Sequence, residues 1–416
     1  MAGNDSAKMG SMAEFAHNSL GLYFSVPFCR AKCTYCNFAS GVYPASEHGR
    51  YVQRLIADLA GASAWAEKMG VELPRAVDTI YFGGGTPVLL DGALFTEIFA
   101  AIRRSFDVDE NAEITVECAP GQLSDATLQA MVESGVNRVS LGVQSFVDRE
   151  ASLSGRLHTR AAVLEDLGRL RAAGIANLNI DLLAGLAEQT LSSWRESLAV
   201  LVEAQTPHAS VYMLEIDEDS RLGRELIAGG TRYSAGLVPA DDAIAQMYEE
   251  AVATLADAGL AQYEISNFAR PGFESVHNLR YWQRRPYLGL GLDASSMLRA
   301  EDGLVLRTTT TDELGAYLNG DVSVETAWLG PVQQLEEAWF LGLRRNSGVV
   351  IEELCAEFGA GAVEPSLAVA RRLAEDGLVA VDAERVGLTD RGRMISNDVF
   401  GEFLGVASQQ VGELAG

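Results

Sequence analysis

Short hydrophobic runs rich in aliphatic and β-branched residues recur along the first half of the chain, separated by longer amphipathic stretches. Each run has the length and composition of a buried strand, and the stretches between runs have the periodicity of helices. The runs span residues 22–26, 79–82, 113–117, 138–143, 177–182 and 210–215. This alternation is typical of a parallel sheet covered by helices. It predicts an α/β fold with a partial (β/α)6 barrel over residues 20–237.

The rest of the chain predicts two further regions and a leader. Residues 238–325 contain a helix, the strand-like stretch QYEISNF and the glycine-rich stretch YLGLGLDASS, which predict an α+β extension of the barrel. Residues 326–416 contain two helical stretches and the hairpin-like stretch LVAVDAERVGL, which predict a small helical or winged-helix-like domain. Residues 1–19 have a single lysine and no apolar core, so we expect a disordered leader there.

The charge of the chain narrows the range of partners. The 57 acidic residues outnumber the 32 basic residues and give a formal charge of -25. Such a surface repels phosphate groups, so we expect no nucleic-acid partner and at most peripheral contact with a membrane. No apolar run reaches the length needed to cross a bilayer, and no secretion signal is recognised. A cytoplasmic location is therefore expected.

Three of the five cysteines, Cys29, Cys33 and Cys36, lie together in a C-x3-C-x2-C spacing. They are too close for a sensible disulfide framework, so a reducing compartment and a metal site fit better. Three thiolates from one loop can hold a 4Fe-4S cluster and leave its fourth iron without a protein ligand. A structural zinc knuckle or a redox thiol pair is the alternative, but zinc needs four ligands and the sequence has no second C-x2-C pair.

The segment CRAKCTYC resembles the signature of the radical SAM superfamily, and its flanks YFSVPFC and NFAS are similar to the oxygen-independent coproporphyrinogen III oxidase-like branch. The resemblance implies a 4Fe-4S cluster whose open iron binds S-adenosylmethionine. The segment GGGTP directly follows the second predicted strand. The bare backbone of Gly84, Gly85 and Thr86 can approach the ligand, and the amides can meet its carboxylate and amine region.

The same resemblance implies a pocket for S-adenosylmethionine at the strand ends. Glu117, Gln144 and Asp181 lie at the ends of three predicted strands, and Arg156 lies in the segment SGRLH. Glu117 can accept hydrogen bonds from ribose hydroxyls, Arg156 can pair with a carboxylate, and the other two can fix the remaining polar edges. Tyr23, in the first predicted strand, is a further expected contact.

Two features favour the HemW-type haem chaperones over the oxidases within this branch. The oxidases usually carry another cysteine two residues beyond the third, where this chain has Phe38. HemW-type proteins carry an HNxxYW motif, and this chain reads HNLRYW from His277 to Trp282. An imidazole is a suitable axial ligand for haem iron, and aromatic rings can flank the macrocycle. A single histidine near a loop is more often structural, but the motif favours His277 as the haem ligand.

The leading hypothesis is a haem chaperone that passes haem to a respiratory acceptor, with flavodoxin or ferredoxin as a candidate reductant and either a monomer or a homodimer as the working form. The competing hypothesis is an oxidase that generates a 5'-deoxyadenosyl radical and decarboxylates a porphyrinogen propionate. A radical SAM enzyme acting on nucleic acid is disfavoured by the acidic charge. Ser25, Ser295 and Ala187 replace two histidines and a proline common in the family, and these departures bear on the substrate rather than the cluster.

Overall fold

The computed structural model describes residues 19–320 and 324–406, so the predicted leader lies outside the described residues except for Ser19. Ser19 is buried, and its hydroxyl donates a 2.7 Å hydrogen bond to Asp78. The described residues therefore include one residue of the leader that the sequence predicts. None of the described helices combines the length and the apolar character needed to cross a membrane.

Fifteen strands are present in the described residues. They are β1 (Leu20–Val26), β2 (Ala76–Gly84), β3 (Asp107–Cys118), β4 (Arg138–Gln144), β5 (Asn177–Ala184), β6 (His208–Met213), β7 (Ala261–Glu264), β8 (Asn267–Ala269), β9 (Tyr287–Gly291), β10 (Ser295–Arg299), β11 (Val305–Thr309), β12 (Glu325–Leu329), β13 (Val349–Val350), β14 (Val379–Val381) and β15 (Arg385–Leu388). Twelve of them form one sheet in the order β12-β11-β10-β9-β1-β2-β3-β4-β5-β6-β8-β7, and the order β13-β15-β14 forms a second sheet.

The α-helices of the described chain surround these sheets. They are α1 (Ser46–Met69), α2 (Gly92–Ser105), α3 (Asp125–Ser134), α4 (Asp148–Leu153), α5 (Arg160–Ala172), α6 (Leu191–Ala204), α7 (Arg221–Ile227), α8 (Asp241–Asp257), α9 (Val276–Trp282), α10 (Leu314–Asn319), α11 (Pro331–Leu343), α12 (Ile351–Phe358), α13 (Ala360–Glu375), α14 (Asp390–Met394) and α15 (Ser396–Gly401). Two 3-10 helices, Pro87–Leu89 and Arg232–Leu237, lie in connections.

The partial barrel predicted from the sequence is confirmed. Strands β1 to β6 correspond to the six predicted strands and pair in parallel in chain order. Leu22 and Phe24 on one face of β1 are fully buried, and on the other face Ser25 is buried and Tyr23 partly buried, as expected for parallel strands covered on both sides. Strand β3 begins six residues earlier than predicted, at Asp107, and β6 ends at Met213. The Leu214 amide then donates a 2.8 Å hydrogen bond to the Ala184 carbonyl.

The residues that the sequence predicts to start and end helix α3 do so in the structure. The Ser124 hydroxyl accepts a 3.0 Å hydrogen bond from the Thr127 amide and so caps the first turn. Gly135 ends the helix in the left-handed region at φ 89°, a conformation that glycine adopts without steric cost. These two residues fix the length of the helix and thereby the start of β4.

The extension lengthens the barrel sheet at both of its edges. Strand β9 pairs in parallel with β1, and β10, β11 and β12 continue antiparallel from it. At the other edge, β7 and β8 form a hairpin next to β6. The stretch QYEISNF, predicted as one strand, is therefore two. The Glu264 carboxylate accepts a 2.9 Å hydrogen bond from the Ser266 amide and stabilises the turn between them.

The C-terminal region has its own core, in which Leu335, Trp339 and Val363 are buried. Its helices α11–α15 pack with the second sheet, and the predicted hairpin is confirmed as β14 and β15. Ile265 from the β7–β8 turn joins this core, and the Asn346 amide donates a 3.0 Å hydrogen bond to the Tyr263 carbonyl. The C-terminal region therefore packs on the β7 edge of the barrel sheet.

Candidate cofactor site

A cavity of about 400 Å³ lies where the strands of the barrel end, at the edge expected for ligands of parallel α/β folds. Its lining contains all three cysteines of the motif and seven of the eight residues predicted to hold S-adenosylmethionine. These residues are Cys29, Cys33, Cys36, Gly84, Gly85, Thr86, Glu117, Gln144, Arg156 and Asp181. The fold thus brings residues from six separate strand ends and loops to one place. Tyr23 and His277 do not line this cavity.

The cysteines lie on the loop that follows β1, and their thiols are free and half-buried. Backbone hydrogen bonds hold the loop: the Cys29 amide donates to Gly41 over 2.9 Å, and the Thr34 amide donates to Ser154 over 3.0 Å. Burial raises the pKa of the Cys29 thiol. No three histidine, cysteine or carboxylate side chains of the described chain are grouped as they would be around a single metal ion. Thiolates on different irons of a 4Fe-4S cluster stand further apart than ligands of one ion.

The glycine loop after β2 is pressed against the backbone that leads into the cysteines. A Cβ atom at Gly85 would lie 2.7 Å from the Val26 carbonyl oxygen, so only glycine fits there. The Gly85 amide donates to that carbonyl over 2.8 Å, and the Thr86 amide donates to Phe28 over 2.7 Å. Both amides are therefore engaged in the described structure, where they extend the pairing of β1 with the glycine loop after β2. The loop positions the cysteine segment as well as lining the cavity.

The carboxylates of Glu117 and Asp181 lie on the cavity wall, and different hydrogen-bond donors hold each of them. The Tyr81 hydroxyl donates a 2.9 Å hydrogen bond to Glu117, while burial and the charge of Asp181 raise the pKa of Glu117 to about 7. Asp181 accepts hydrogen bonds from Asn179 over 2.7 Å and from Ser140 over 3.1 Å. Burial raises the pKa of Asp181 as well. Both side chains are fixed in place and remain partly exposed to the cavity.

Other polar groups on the wall lack partners. The Nε atom of Arg156 and the Oε1 atom of Gln122 are buried without a hydrogen-bond partner among the described residues. Buried polar atoms are normally paired, so unpaired ones on residues that line a cavity leave hydrogen-bonding capacity that a polar ligand could use. Gln144 ends β4 at φ 68°, where the pairing with β5 shifts register. A left-handed conformation at a non-glycine residue is costly and is often kept at binding sites.

Several lining residues were missed by the sequence analysis. Tyr212 lies at the end of β6, so applying the strand-end rule to the sixth strand would have found it. Tyr35 lies between two motif cysteines, and Gln122 lies in the loop after β3. Neither carries a signal in the sequence, because their approach to the cavity depends on the path of loops rather than on strand periodicity.

The HNLRYW motif lies at the opposite end of the barrel, where the strands begin. The Glu113 carboxylate of β3 accepts the amides of Val276 and His277 over 3.0 and 2.9 Å, which caps α9. His277 is fully buried, with Nδ1 2.9 Å from the Thr79 hydroxyl and Nε2 2.9 Å from the Tyr281 hydroxyl. Burial and nearby arginine charges hold the pKa of His277 well below its ordinary value. In the described conformation His277 is therefore a hydrogen-bonded residue of the packed barrel, which is the structural alternative that the sequence left open.

Arg280 of the same helix closes the barrel at this end. Its side chain is fully buried and donates to the Ser19 and Pro286 carbonyls over 2.9 Å each. It also pairs with Asp78 and donates to Thr79 over 3.2 Å. Helix α9 therefore acts as a plug in which His277 and Arg280 find partners where the strands begin, whereas Trp282 Nε1 is buried without a hydrogen-bond partner among the described residues.

Tyr23 belongs with this plug rather than with the cavity lining. Its ring stacks on Tyr81 with centroids 6.0 Å apart and on His277 with centroids 6.4 Å apart. The Tyr81 ring in turn lies 5.2 Å from that of His277. Since Tyr81 also contacts Glu117, an aromatic layer separates the cavity from the plug. The two serines that replace family histidines lie in different environments. Ser25 is buried beside the glycine loop, and Ser295 is exposed on β10.

Comparison with known proteins gives consistent results at the level of sequence families. Residues 23–201 match the radical SAM superfamily, and residues 329–395 match the HemN C-terminal domain. The chain is 33% identical to the haem chaperone HemW of Lactococcus lactis, over 92% of this chain and 96% of that protein. It is 32% identical to the haem chaperone HemW of Bacillus subtilis, over 92% of this chain and 98% of that protein.

Comparison of structures agrees on the fold. The structure of coproporphyrinogen III oxidase (HemN) from Escherichia coli, a radical SAM enzyme, superposes with a TM-score of 0.79. The match covers 96% of this chain and 93% of that chain at 23% sequence identity. At this identity the likeness concerns the arrangement of barrel, extension and C-terminal region.

Proposed function

The chain belongs to the radical SAM superfamily and, within it, to the HemW-type family, and on that premise we propose that it is a haem chaperone. It would hold a 4Fe-4S cluster and S-adenosylmethionine in the cavity at the strand ends, bind haem, and deliver the haem to a respiratory acceptor. The observation that carries the proposal is the convergence of the three cysteines with the polar strand-end residues on one cavity.

The residues of the cavity fit a cluster with one open iron. Cys29, Cys33 and Cys36 would supply three ligands. The lining also contains Cys118, but this thiol is buried at the end of β3 and donates to the Ala119 carbonyl over 3.6 Å. Phe38, at the position where the oxidases carry a further cysteine, is 58% exposed. A bound cluster of this kind can chelate S-adenosylmethionine and pass it an electron. The Thr86 hydroxyl lies 3.8 Å from the Cys29 sulfur and can donate to the thiolate, which stabilises its charged form.

The unpaired groups of the cavity fit the polar parts of S-adenosylmethionine. Arg156 can bind its carboxylate with a charge-assisted hydrogen bond, and Glu117 can accept from ribose hydroxyls. Gln144 and Asp181 remain the proposed contacts for the other polar edges, with Gln122 added by its free acceptor atom. Gly84, Gly85 and Thr86 would line the ligand through atoms other than the two amides already in use. Tyr23 would support the pocket from behind Tyr81.

The proposal that this chain binds haem rests on its similarity to HemW-type haem chaperones. His277, the ligand favoured by the HNxxYW motif, has both ring nitrogens engaged in the described conformation. Ligation of iron by His277 would require the bond to Tyr281 to break and α9 to move. The presence of Ser25 and Ser295 in place of histidines leaves fewer groups for porphyrin proton chemistry, which favours haem as a cargo over a porphyrinogen as a substrate.

The proposed partners follow from the same role. A flavodoxin or ferredoxin would reduce the cluster, and a respiratory haem protein would receive the haem, with the exchange taking place in the cytoplasm. Membrane contact would be peripheral and made through the acceptor, and the net charge of -25 disfavours nucleic acid. The mass of the loaded protein in solution distinguishes a monomer from a homodimer.

A transfer experiment tests the proposal. Haem-loaded protein is mixed anaerobically with the apo form of a respiratory haem enzyme, with the cluster and S-adenosylmethionine present, and the acceptor's activity is followed. Recovery of acceptor activity faster than with an equal amount of free haem is expected for a chaperone. Incubation with coproporphyrinogen and a reductant is the parallel arm, and a vinyl-bearing product would establish the oxidase instead.

A further inference from the structure

Arg138, the first residue of β4, is a charged side chain in the interior of the barrel. It is 1% exposed, and it lies on the same face of β4 as Ser140, Gly142 and Gln144, which line the cofactor cavity. Its Nε atom is enclosed without a hydrogen bond, and its guanidinium group forms no hydrogen bond or ion pair with the other described residues. Arg280, equally buried at this end of the barrel, donates to two carbonyls and pairs with a carboxylate.

The neighbours of Arg138 on the two adjacent strands also have unpaired polar atoms. In the register of the sheet, Arg138 lies beside Thr115 of β3 and Asn177 of β5. The Thr115 Oγ1 and Asn177 Oδ1 atoms are enclosed and lack hydrogen-bond partners in the part of the chain that the structure describes. Register neighbours on parallel strands lie about 5 Å apart and present their side chains to the same face of the sheet. We call Thr115, Arg138 and Asn177 the β3–β5 row.

The β3–β5 row continues the aromatic layer that separates the cavity from the plug. Tyr81 is the register partner of Thr115, and Tyr23 is the register partner of Tyr81. Two residues further along the strands, Glu117 and Ser140 already line the cofactor cavity. The layer is therefore aromatic on one side of the barrel, and on the other side it consists of polar groups without partners.

The carboxylates on the interior faces of β3 and β5 are engaged by other donors. Glu113 caps α9, the Tyr81 hydroxyl donates to Glu117, and Asp181 is held by two side chains of its own wall. Burial raises the pKa of Asp181, and the charge of Arg138 opposes this rise. The guanidinium group is thus close enough to act on these carboxylates through space, and none of them is its hydrogen-bonded counter-ion.

An arginine stays charged in a protein, and an enclosed charge without a paired counter-ion is costly. Water satisfies hydrogen-bonding atoms but supplies no charge. We propose that the β3–β5 row binds a small monovalent anion, a halide or a carboxylate of the size of formate, inside the barrel between the cofactor cavity and the α9 plug. The Arg138 guanidinium and the Thr115 hydroxyl donate to this anion, and Asn177 supplies a third donor through its amide group. The site is independent of haem and of the proposed cofactors.

Diffraction and thermal unfolding of the full-length protein test this anion site. Crystals grown in sodium bromide should show an anomalous peak in contact with the Arg138 guanidinium group. In solution, the unfolding midpoint should rise with bromide or formate, because a ligand of the folded state stabilises it by mass action. Sodium gluconate, whose anion is too large for an enclosed site, keeps the ionic strength constant. Arg138→Met should weaken anion binding at least about tenfold, since it removes the charge.

Two further variants separate the site from general effects of salt and of folding. Thr115→Val keeps the arginine and the shape of the side chain but removes one donor, so it should bind the anion about three- to tenfold more weakly. Arg104→Met, at an exposed position on α2, should respond to both anions as wild type does. Water alone at the row in the bromide crystals would overturn the inference. A midpoint response that Arg138→Met and Thr115→Val leave unchanged, or a peak that represents binding at crystal concentration only, would do the same.

Discussion

The two ends of the barrel are built from the same strands and differ in how their polar groups are satisfied. At the end where the strands begin, Arg280 and His277 are fully buried and find partners among the first residues of β1 and β2. At the end where they finish, Arg156 and Gln122 keep buried atoms without partners, and Gln144 holds a left-handed backbone. Unpaired buried atoms also occur at the first end, on Arg138 and Trp282, but those at the second end belong to residues that line the cavity, where a bound ligand could supply partners.

The difference between the two ends bears on the role of the HNLRYW motif on α9. A histidine, a tyrosine and a tryptophan within seven residues suggest a haem site when only the sequence is visible. In the structure the same helix is capped by Glu113 and locked by Arg280, which are the properties of a structural plug. In this structure the motif residues thus help to close the barrel, and the cavity proposed for the cofactors lies at the opposite end of the strands.

Removal of one cluster cysteine is expected to have the largest effect of all. Cys33→Ala should lower the iron of the reconstituted protein from about four per chain to near zero, because two thiolates cannot hold a cubane. Its unfolding midpoint without cluster should stay close to wild type, since the thiol is half-buried and bonds nothing that the fold needs. Iron analysis and circular dichroism measure the two quantities. Cys355→Ala is the control and should keep its iron; equal iron in both variants would refute the assignment.

Replacement of the plug arginine, Arg280, should change the stability of the fold rather than the iron content. Arg280→Ala removes the partner of two carbonyls and part of the pairing of Asp78, and breaking such a buried network costs about 3–5 kcal/mol. Urea denaturation followed by fluorescence gives the free energy of unfolding. Arg149→Ala, which breaks an exposed ion pair with Glu188, should leave the free energy of unfolding close to that of wild type, because water screens the pair. A similar small cost for Arg280 would mean that this end of the barrel is not locked.

The raised pKa of Glu117 predicts a smaller, pH-dependent effect. As the pH rises, the unfolded chain releases this proton near pH 4.5, before the folded chain releases it near pH 7. The contribution of Glu117 to stability is therefore fully present below about pH 4.5 and is lost as the pH approaches 7. Glu117→Gln should flatten the fall in unfolding free energy over this range by about 1–2 kcal/mol, since partial exposure weakens the effect.

Denaturation series at several pH values measure this slope. Glu110→Gln, at an exposed position, is the matched control and should leave the slope as in wild type. A slope that Glu117→Gln leaves unaltered would show that the carboxyl is solvated in the folded chain.

The smallest effect is expected at Tyr23. Tyr23→Phe keeps the ring that stacks on Tyr81, and the residue does not line the cavity, so affinity for S-adenosylmethionine should change by less than about twofold. Calorimetry on the cluster-loaded protein gives this affinity. Arg156→Ala, which removes a charged group from the cavity wall, should weaken binding about tenfold or more. Equal losses in both variants would place the ligand nearer to the plug than the cavity suggests.

The sequence predicted the strands and the cavity residues well because both depend on local pattern. Buried strands have a hydrophobic signature, and residues such as Glu117 and Asp181 follow it directly at the strand ends. The position of His277 could not be read in this way, since it depends on a helix from the extension folding back under the first strands. The position of Gln122 could not be predicted either, because it reaches the cavity through a loop. Nor could the partners of the two glycine-loop amides, which lie at and just beyond the end of β1.

The central claim is that three cysteines hold a cluster whose open iron binds S-adenosylmethionine at the carboxyl ends of the strands. Anaerobic reconstitution with iron and sulfide, followed by electron paramagnetic resonance of the reduced protein with and without S-adenosylmethionine, tests it most directly. The account predicts a 4Fe-4S signal that shifts when the ligand is added and that is absent from Cys33→Ala. A signal unchanged by S-adenosylmethionine, or a cluster that survives in Cys33→Ala, would contradict it.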